Sequence, residues 1–322
     1  MRSLRWVGLL ALYIGAQLVG LALANPFRTA GLSSSTNPQS PTAPITIILI
    51  IVIAPLFILL LARQRGGVAA LRQLILVAIA SALYITLFAT FGVLFPAVYL
   101  LPPYGAEIVV VPALFFAATV SAALYLALLV DPQWYIVDLV GFLAAGALVA
   151  ILGISFAILP AFILLIALMV YDAIAVYRTK HMISLADVVT EMKLPILMVM
   201  PDSVGYDYAA APPLAEQRNL PTEERAALFM GLGDVVIPGT LVVSAFVWLP
   251  AAPTWLGLGA GLWVALGALM GSLFGYALLM RLVLRGNPQA GLPFLNGGAI
   301  AGYAVAYLLI FHSVTLGLTA AL

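Results

Sequence analysis

Two acidic residues stand inside apolar segments of this chain, and their surroundings point to acid–base chemistry. Asp172 follows Tyr171 in one apolar segment, and Asp234 ends a Gly-Leu-Gly-Asp motif in another. An acid at the centre of a membrane helix costs about 2.5–3.5 kcal/mol on insertion scales, so it is rarely kept for packing alone. The two acids therefore predict a functional site within a membrane.

Two carboxyl groups in contact cannot both ionise cheaply, so Asp172 and Asp234 are expected to share one proton, as the acids of aspartic proteases do. The ionised member takes a proton from water while the protonated member donates a hydrogen bond to a scissile carbonyl oxygen. The shared proton belongs to the pair rather than to either residue. This arrangement predicts peptide hydrolysis.

The residues around Asp234 fit that chemistry. Gly231 and Gly233 lack side chains and would let an extended substrate backbone approach Asp234. Pro238 cannot donate to the carbonyl of Asp234 and predicts a bend in the helix, which a membrane tolerates where the backbone faces protein or a wet cavity. The alternative for the glycines is a face of small residues that packs against another helix.

The composition predicts an all-α polytopic membrane protein. The 322 residues are 65% hydrophobic and 8% charged, with a mean hydropathy of +1.18. Apolar runs long enough to cross a bilayer recur along the chain and give about nine transmembrane helices. They lie near residues 6–24, 45–62, 74–94, 108–130, 134–152, 156–177, 226–248, 256–284 and 294–311. The first segment also resembles a signal peptide, although its apolar run is long for one.

Several other classes of protein are excluded by residue type. Cysteine is absent, which removes disulfides and cysteine metal ligands. The two histidines, His181 and His312, do not form an H-E-x-x-H motif, and no G-x-S-x-G motif is present. We therefore expect no metal and no cofactor. The net charge of +1 predicts no nucleic-acid partner.

The basic residues predict the orientation in the cell membrane. If the N-terminus is cytoplasmic, all of the 13 Lys and Arg residues except Arg28 lie on the cytoplasmic side. The chain then divides into a scaffold of five transmembrane helices (1–155), a sixth helix with the first acid (156–181), a cytoplasmic loop (182–225) and helices seven to nine (226–322). Within the loop, the apolar segment 195–201 is either a surface segment or an edge strand that contacts substrate.

Both acid-bearing helices meet this loop, so they are expected to be antiparallel. Counted from the flanking arginines Arg178 and Arg225 at 1.5 Å per residue, Asp172 and Asp234 lie at depths of roughly 9 and 13 Å. These similar depths predict that the two carboxylates face each other.

At these residues the chain resembles the presenilin and signal peptide peptidase family of intramembrane aspartyl proteases. The family has YD in the sixth span, GxGD in the seventh and PAL at the start of the ninth. Tyr171-Asp172 and the motif ending at Asp234 match the first two, while Ala290-Gly291-Leu292 stands where PAL would be. Archaeal presenilin homologues carry similar QAGLP and YRTKHM stretches, found here at 289–293 and 177–182. The resemblance covers all nine spans.

The resemblance implies that Asp172 and Asp234 are the catalytic pair. It further implies substrates that are single transmembrane helices within the lipid bilayer, with their N-termini outside. The residues expected to contact substrate are Tyr171, Gly231, Leu232, Gly233, Ala290, Gly291, Leu292 and Pro293.

Two other functions remain open from the sequence. Paired membrane acids also carry protons and cations, so an ion-coupled transporter or cation leak channel is the main alternative. Against it, nine spans do not divide into two equal repeats, and no matched pair of interrupted helices is visible. A helix-binding protein without catalysis is the third possibility. A further acid, Asp138, follows Trp134 and Tyr135 and is expected at the membrane interface or beside the site.

Overall fold

A computed structural model describes residues 2–94, 98–99, 108–109, 111–179, 185–188, 190, 192–203, 205–211, 226–283 and 289–318. Of the basic residues that predict the orientation, Lys180, Arg218, Arg225 and Arg285 lie outside the described residues, as does His181.

Long helices make up most of the described structure. They are α1 (Arg2–Thr29), α2 (Ile45–Ala62), α3 (Gly67–Leu94), α4 (Val111–Val130), α5 (Trp134–Ser155), α6 (Ile158–Tyr177), α7 (Leu232–Trp248), α8 (Ala260–Val283) and α9 (Leu292–Phe311). Eight are long and apolar enough to cross a membrane, and α7 is an apolar helix of 17 residues. The predicted all-α fold with about nine membrane helices is therefore confirmed.

The centre of the bundle is α7, because it packs against α1, α5, α6, α8 and α9. Every residue from Val235 to Ala245 is buried. A helix that is apolar on all faces is expected in such a central position. In contrast, Pro55 is the one fully buried residue of α2, and many of its other apolar side chains, such as Ile50, Leu56 and Phe57, are exposed. The site-bearing helix is thus held on every side by neighbouring helices.

Three short antiparallel hairpins accompany the helices in the part of the chain that the structure describes. The largest pairs β3 (Leu197–Pro201) with β4 (Ala227–Gly231), and Leu197 lies opposite Gly231. The other two pair β1 (Val98–Tyr99) with β2 (Ile108–Val109) and β5 (Thr254–Trp255) with β6 (Leu258–Gly259). Consequently the fourth and eighth helices begin at Val111 and Ala260, a few residues later than predicted.

The hairpin β3–β4 decides between the two alternatives for 195–201 and corrects another prediction. The segment contains a strand, Leu197–Pro201, that pairs with β4, and the prolines at its two ends disfavour a helix there. The predicted start of the seventh helix, 226–231, is also extended, so α7 begins at Leu232 and Asp234 lies in its first turn. The depth of 13 Å for Asp234 is wrong, because a strand rises about 3.3 Å per residue.

Close packing of α8 on α9 depends on glycine. A β-carbon added to Gly298 would collide with the backbone carbonyl oxygen of Gly271. At the adjacent Gly297, a β-carbon would meet none of the described residues within 4 Å. Close contact between helices through small residues is typical of membrane proteins. Gly298 therefore has a helix-packing role, whereas Gly297 faces open space.

Candidate active site

The carboxylates of Asp172 and Asp234 line the same cavity. Asp172 lies on α6 and is buried, at 7% exposure. Asp234 lies in the first turn of α7 and is half-buried. The cavity has a volume of about 440 Å³. Two acids separated by 61 intervening residues are thus brought to one cavity, because α6 and α7 pack against each other.

Most of the residues expected to contact substrate also line this cavity. They are Tyr171, Gly231, Leu232, Gly233, Gly291 and Leu292. Apolar side chains complete the wall, among them Leu168 of α6 and Ile51 of α2. A β-carbon at Gly233 would meet no described atom within 4 Å, so a side chain there would project into the cavity. A mainly apolar cavity with few polar groups suits an apolar ligand segment.

The N-terminus of α9 holds Asp172 through backbone donors. The Leu292 N–H donates to Asp172 Oδ2 over 3.0 Å, and the adjacent Gly291 N–H also faces this carboxylate. The first N–H groups of a helix have no partner within the helix and carry its positive end, so they favour an acceptor such as a carboxylate. The chain around 291–292 therefore fixes the orientation of Asp172.

The same segment also contacts Asp234. A β-carbon at Gly291 would lie 2.7 Å from Asp234 Oδ1, closer than real β-carbons approach an oxygen. On its other side, Asp234 faces the Gly231 backbone, where a β-carbon would lie 3.6 Å from Asp234 Oδ2. The segment Ala290-Gly291-Leu292, called the PAL-like segment below, therefore touches both acids, and this contact fixes their relative position.

Ala290 and Pro293 flank the cavity without lining it. Ala290 is buried, and its N–H donates to the Tyr177 hydroxyl over 3.3 Å. The same hydroxyl donates to Gln289 Oε1 over 3.0 Å. Pro293 lies in the first turn of α9, where its missing N–H removes no helical hydrogen bond.

Sequence reasoning missed the roles of Tyr177 and Gln289, which fasten the PAL-like segment to the end of α6. Tyr177 opens the YRTKHM stretch and lies at the last position of α6, but nothing local identifies its partners. Gln289 also lines the cavity.

Asp138 is buried within the protein, near the start of α5. It is 5% exposed, and its Oδ1 accepts a hydrogen bond of 2.6 Å from the Val199 N–H in β3. Its partner Val199 is 61 residues away in the chain, so no local signal in the sequence identifies this hydrogen bond.

Comparisons with known proteins point to one group. A family described as "Signal-peptide peptidase, presenilin aspartyl protease" matches residues 10–312. Two solved structures are described as a presenilin family intramembrane aspartate protease. The one in the C222 space group is 30% identical, with a TM-score of 0.64, and the match covers 94% of this chain and 99% of that one.

The structure in the P2 space group is 35% identical, with a TM-score of 0.58, and the match covers 94% of this chain and 97% of that one. No match is found among curated proteins. The family match includes both acids and the segment 290–293. None of these matches supports the transporter or channel alternative.

Proposed function

Because the chain belongs to the signal-peptide peptidase and presenilin family of aspartyl proteases, we propose that Asp172 and Asp234 are the residues that carry out its peptide hydrolysis. The protein is an intramembrane aspartyl protease and an integral, multi-pass membrane protein. An aspartyl protease needs one ionised and one protonated carboxyl group at the same place, and these two acids can supply them.

One observation carries the assignment of the pair. The N-terminus of α9 donates to Asp172 and packs against Asp234, so a single rigid segment holds both carboxylates at the wall of one cavity. Catalysis by two acids requires such fixed geometry, because a misplacement of about 1 Å can lower the rate roughly 100-fold. Two buried acids with unrelated roles would not require one segment that contacts both carboxylates.

The proposed reaction uses one proton held jointly by the two acids. The ionised carboxylate removes a proton from a water molecule, and the water oxygen bonds to the scissile carbonyl carbon. The protonated carboxyl group donates a hydrogen bond to the carbonyl oxygen and stabilises the charge that develops there. A proton then passes to the departing amide nitrogen, the C–N bond breaks, and the two acids again share one proton.

The substrates are transmembrane segments within the bilayer. We infer that they are single-span proteins or peptides that unwind before cleavage, because the backbone of an intact helix is shielded by its own hydrogen bonds. An unwound segment would lie against Gly231 and Gly233, where no side chain separates it from Asp234. Tyr171, Leu232 and Leu292 would contact its side chains from the cavity wall.

The charge distribution supports an orientation in the cell membrane with the N-terminus and the loop 182–225 in the cytoplasm. In this proposal the substrates have their N-termini outside. Residues 1–155 serve as the scaffold, 156–181 carry the first acid, and 226–322 carry the second acid together with the PAL-like segment.

The test is to replace each acid by its amide in the purified protein. Asp172→Asn and Asp234→Asn are each expected to lower cleavage of a labelled transmembrane peptide in liposomes by at least about 1,000-fold, since residues that act as a unit fail together. Asp131→Asn is the matched control, because Asp131 is an exposed acid away from the cavity.

Asp172→Asn and Asp234→Asn should each keep the thermal unfolding midpoint of the unmodified protein. Each should also weaken binding of hydroxyl-containing transition-state mimics. Retained cleavage by either folded variant would overturn the assignment. A cation flux through liposomes that the two substitutions abolish, without peptide cleavage by the parent protein, would favour the transporter instead.

A further inference from the structure

Along each strand of the hairpin β3–β4, the backbone N–H groups point alternately to the partner strand and away from it. The Asp202 N–H donates to the Ala226 carbonyl over 2.9 Å, and the Leu232 N–H donates to the Ile196 carbonyl over 3.2 Å. In an antiparallel pair, the N–H and C=O groups of every second residue point to the partner strand, and those of the residues between point away from it. Val199 on β3 therefore directs its N–H to the outer edge of the hairpin. Gly231 on β4 does the same at the opposite edge.

Each of these two outward N–H groups faces an aspartate. The Val199 N–H donates to Asp138 Oδ1 over 2.6 Å, and the Gly231 N–H faces Asp234, whose Oδ2 would lie 3.6 Å from a β-carbon at Gly231. The hairpin is thus held between two carboxylates, one on α5 and one on α7. Asp138 does not line the cavity, so it can act on Asp234 only by positioning the elements that carry it, the hairpin and the start of α7.

The contact between α5 and the hairpin is buried and continues along one helix face. Asp138 is 5% exposed and Val199 is fully buried, so water does not replace their hydrogen bond. One turn further along α5, Gly141 lies close to Leu232, and a β-carbon there would be 3.4 Å from both Leu232 Cδ2 and the Pro195 carbonyl oxygen. This face of α5 therefore fixes the hairpin at its middle and near the start of α7.

We propose that Asp138 is a positioning residue for Asp234, and this inference rests on the proposed function of the acid pair. Asp138 holds β3 at Val199, and Val199 lies opposite Phe229 on β4. Two residues beyond Phe229, Gly231 ends the strand three residues before Asp234 and lies against its carboxylate. Without the Asp138 contact, β3 loses its fixed place on α5, and the strand that leads into Asp234 shifts with it.

The decisive variants separate the hydrogen bond from the volume of the side chain. Asp138→Asn keeps an oxygen acceptor for the Val199 N–H, whereas Asp138→Leu fills a similar space without one. We expect Asp138→Leu to lower kcat for a transmembrane peptide by at least about tenfold, because the carboxylates are no longer aligned. Its KM should change little, and Asp138→Asn should keep kcat within about threefold, as expected when the acceptor remains.

A matched control accounts for stability alone. The Ser244 hydroxyl is fully buried and donates to the Phe156 carbonyl over 2.8 Å, far from the hairpin, so Ser244→Ala also removes one buried hydrogen bond. It should lower the unfolding temperature as Asp138→Leu does while kcat stays within about twofold. A loss of kcat in Asp138→Leu no larger than in Ser244→Ala would overturn the inference.

A second variant covers the case in which Asp138→Leu does not fold. Val199→Pro removes the donor of the same hydrogen bond, at a position whose N–H takes no part in the hydrogen bonds between β3 and β4. It should reproduce the loss of kcat, and a folded Val199→Pro with unchanged kcat would contradict the inference. If Asp172→Asn and Asp234→Asn abolish cleavage but these variants do not, only the role of Asp138 fails. If those two substitutions leave cleavage intact, the proposed catalytic pair itself fails.

Discussion

Gly291 lies directly against the carboxylate of Asp234. A β-carbon at this position would be 2.7 Å from Oδ1 and 2.9 Å from Cγ of Asp234. In the resemblance, Gly291 stands at the position of the alanine of the PAL motif. The methyl group of an alanine here would compete with the Asp234 carboxylate for the same space. The absence of a side chain at Gly291 therefore sets how closely the start of α9 approaches Asp234.

A graded series at Gly291 tests this contact. Gly291→Ala should lower kcat by about three- to tenfold, because the carboxylate has to move by a few tenths of an ångström. Gly291→Val should lower kcat about 100-fold, since the branched side chain forces a larger displacement. Steady-state cleavage of a transmembrane peptide measures both, with Gly297→Ala on the same helix as the control. Equal activity of the alanine and valine variants would contradict the contact.

Tyr177 fastens the PAL-like segment to α6, so its hydroxyl should contribute to activity. Tyr177→Phe removes a hydrogen bond from the Ala290 N–H and another to Gln289. A neutral hydrogen bond contributes about 0.5–1.5 kcal/mol, and Tyr177 is 50% exposed, so we expect kcat/KM to fall only about threefold. Tyr135→Phe, at an exposed tyrosine of α5, is the matched control and should leave kcat/KM unchanged. An equal effect of both substitutions would rule out a specific role for the tether.

The packing of α8 on α9 predicts opposite outcomes for two adjacent glycines. Gly298→Ala forces a methyl group into the backbone of Gly271 and should destabilise the fold by about 1–3 kcal/mol, the usual cost of overpacking. Gly297→Ala meets open space and should be neutral or stabilise by about 0.5–1 kcal/mol, since alanine favours a helix over glycine. Thermal unfolding in detergent compares the two. A lower midpoint for Gly297→Ala than for Gly298→Ala would contradict the packing.

The need to unwind the substrate predicts a preference for helix-breaking residues. A transmembrane peptide with Gly-Pro near the cleavage site should be cut at least about tenfold faster than its poly-Leu counterpart, because glycine and proline cost about 1 and 3 kcal/mol in a helix. Competition between the two labelled peptides, resolved by mass spectrometry, gives the ratio directly. If the poly-Leu helix is cleaved as readily, unwinding does not limit the reaction.

The class of protein and its two acids could be predicted without coordinates. Apolar runs identify membrane helices because the length of a bilayer-spanning helix is fixed by the bilayer itself. Asp172 and Asp234 stand out because a charge is costly in that setting. The resemblance to a protease family needed only the short motifs around these residues. Each of these signals is local, and a local signal can be read directly from the chain.

The start of the seventh helix could not be predicted, because the apolar residues 226–231 suit a helix and a buried strand equally well. Pairing with β3, about 30 residues earlier in the chain, decides in favour of the strand. The partners of Asp138 and Tyr177 were missed for the same reason, since Val199 is 61 residues from Asp138 and Ala290 is 113 residues from Tyr177.

The amino-acid sequence by itself determined that this chain lies in a membrane and that it carries two acids suited to hydrolysis. Only the tertiary structure decided how those acids are held, with Gly291 against Asp234, Leu292 on Asp172 and Asp138 on the far edge of the hairpin. The physical reason is that composition and spacing set the cost of burying each residue, whereas hydrogen-bond partners are chosen by helices that meet only after folding.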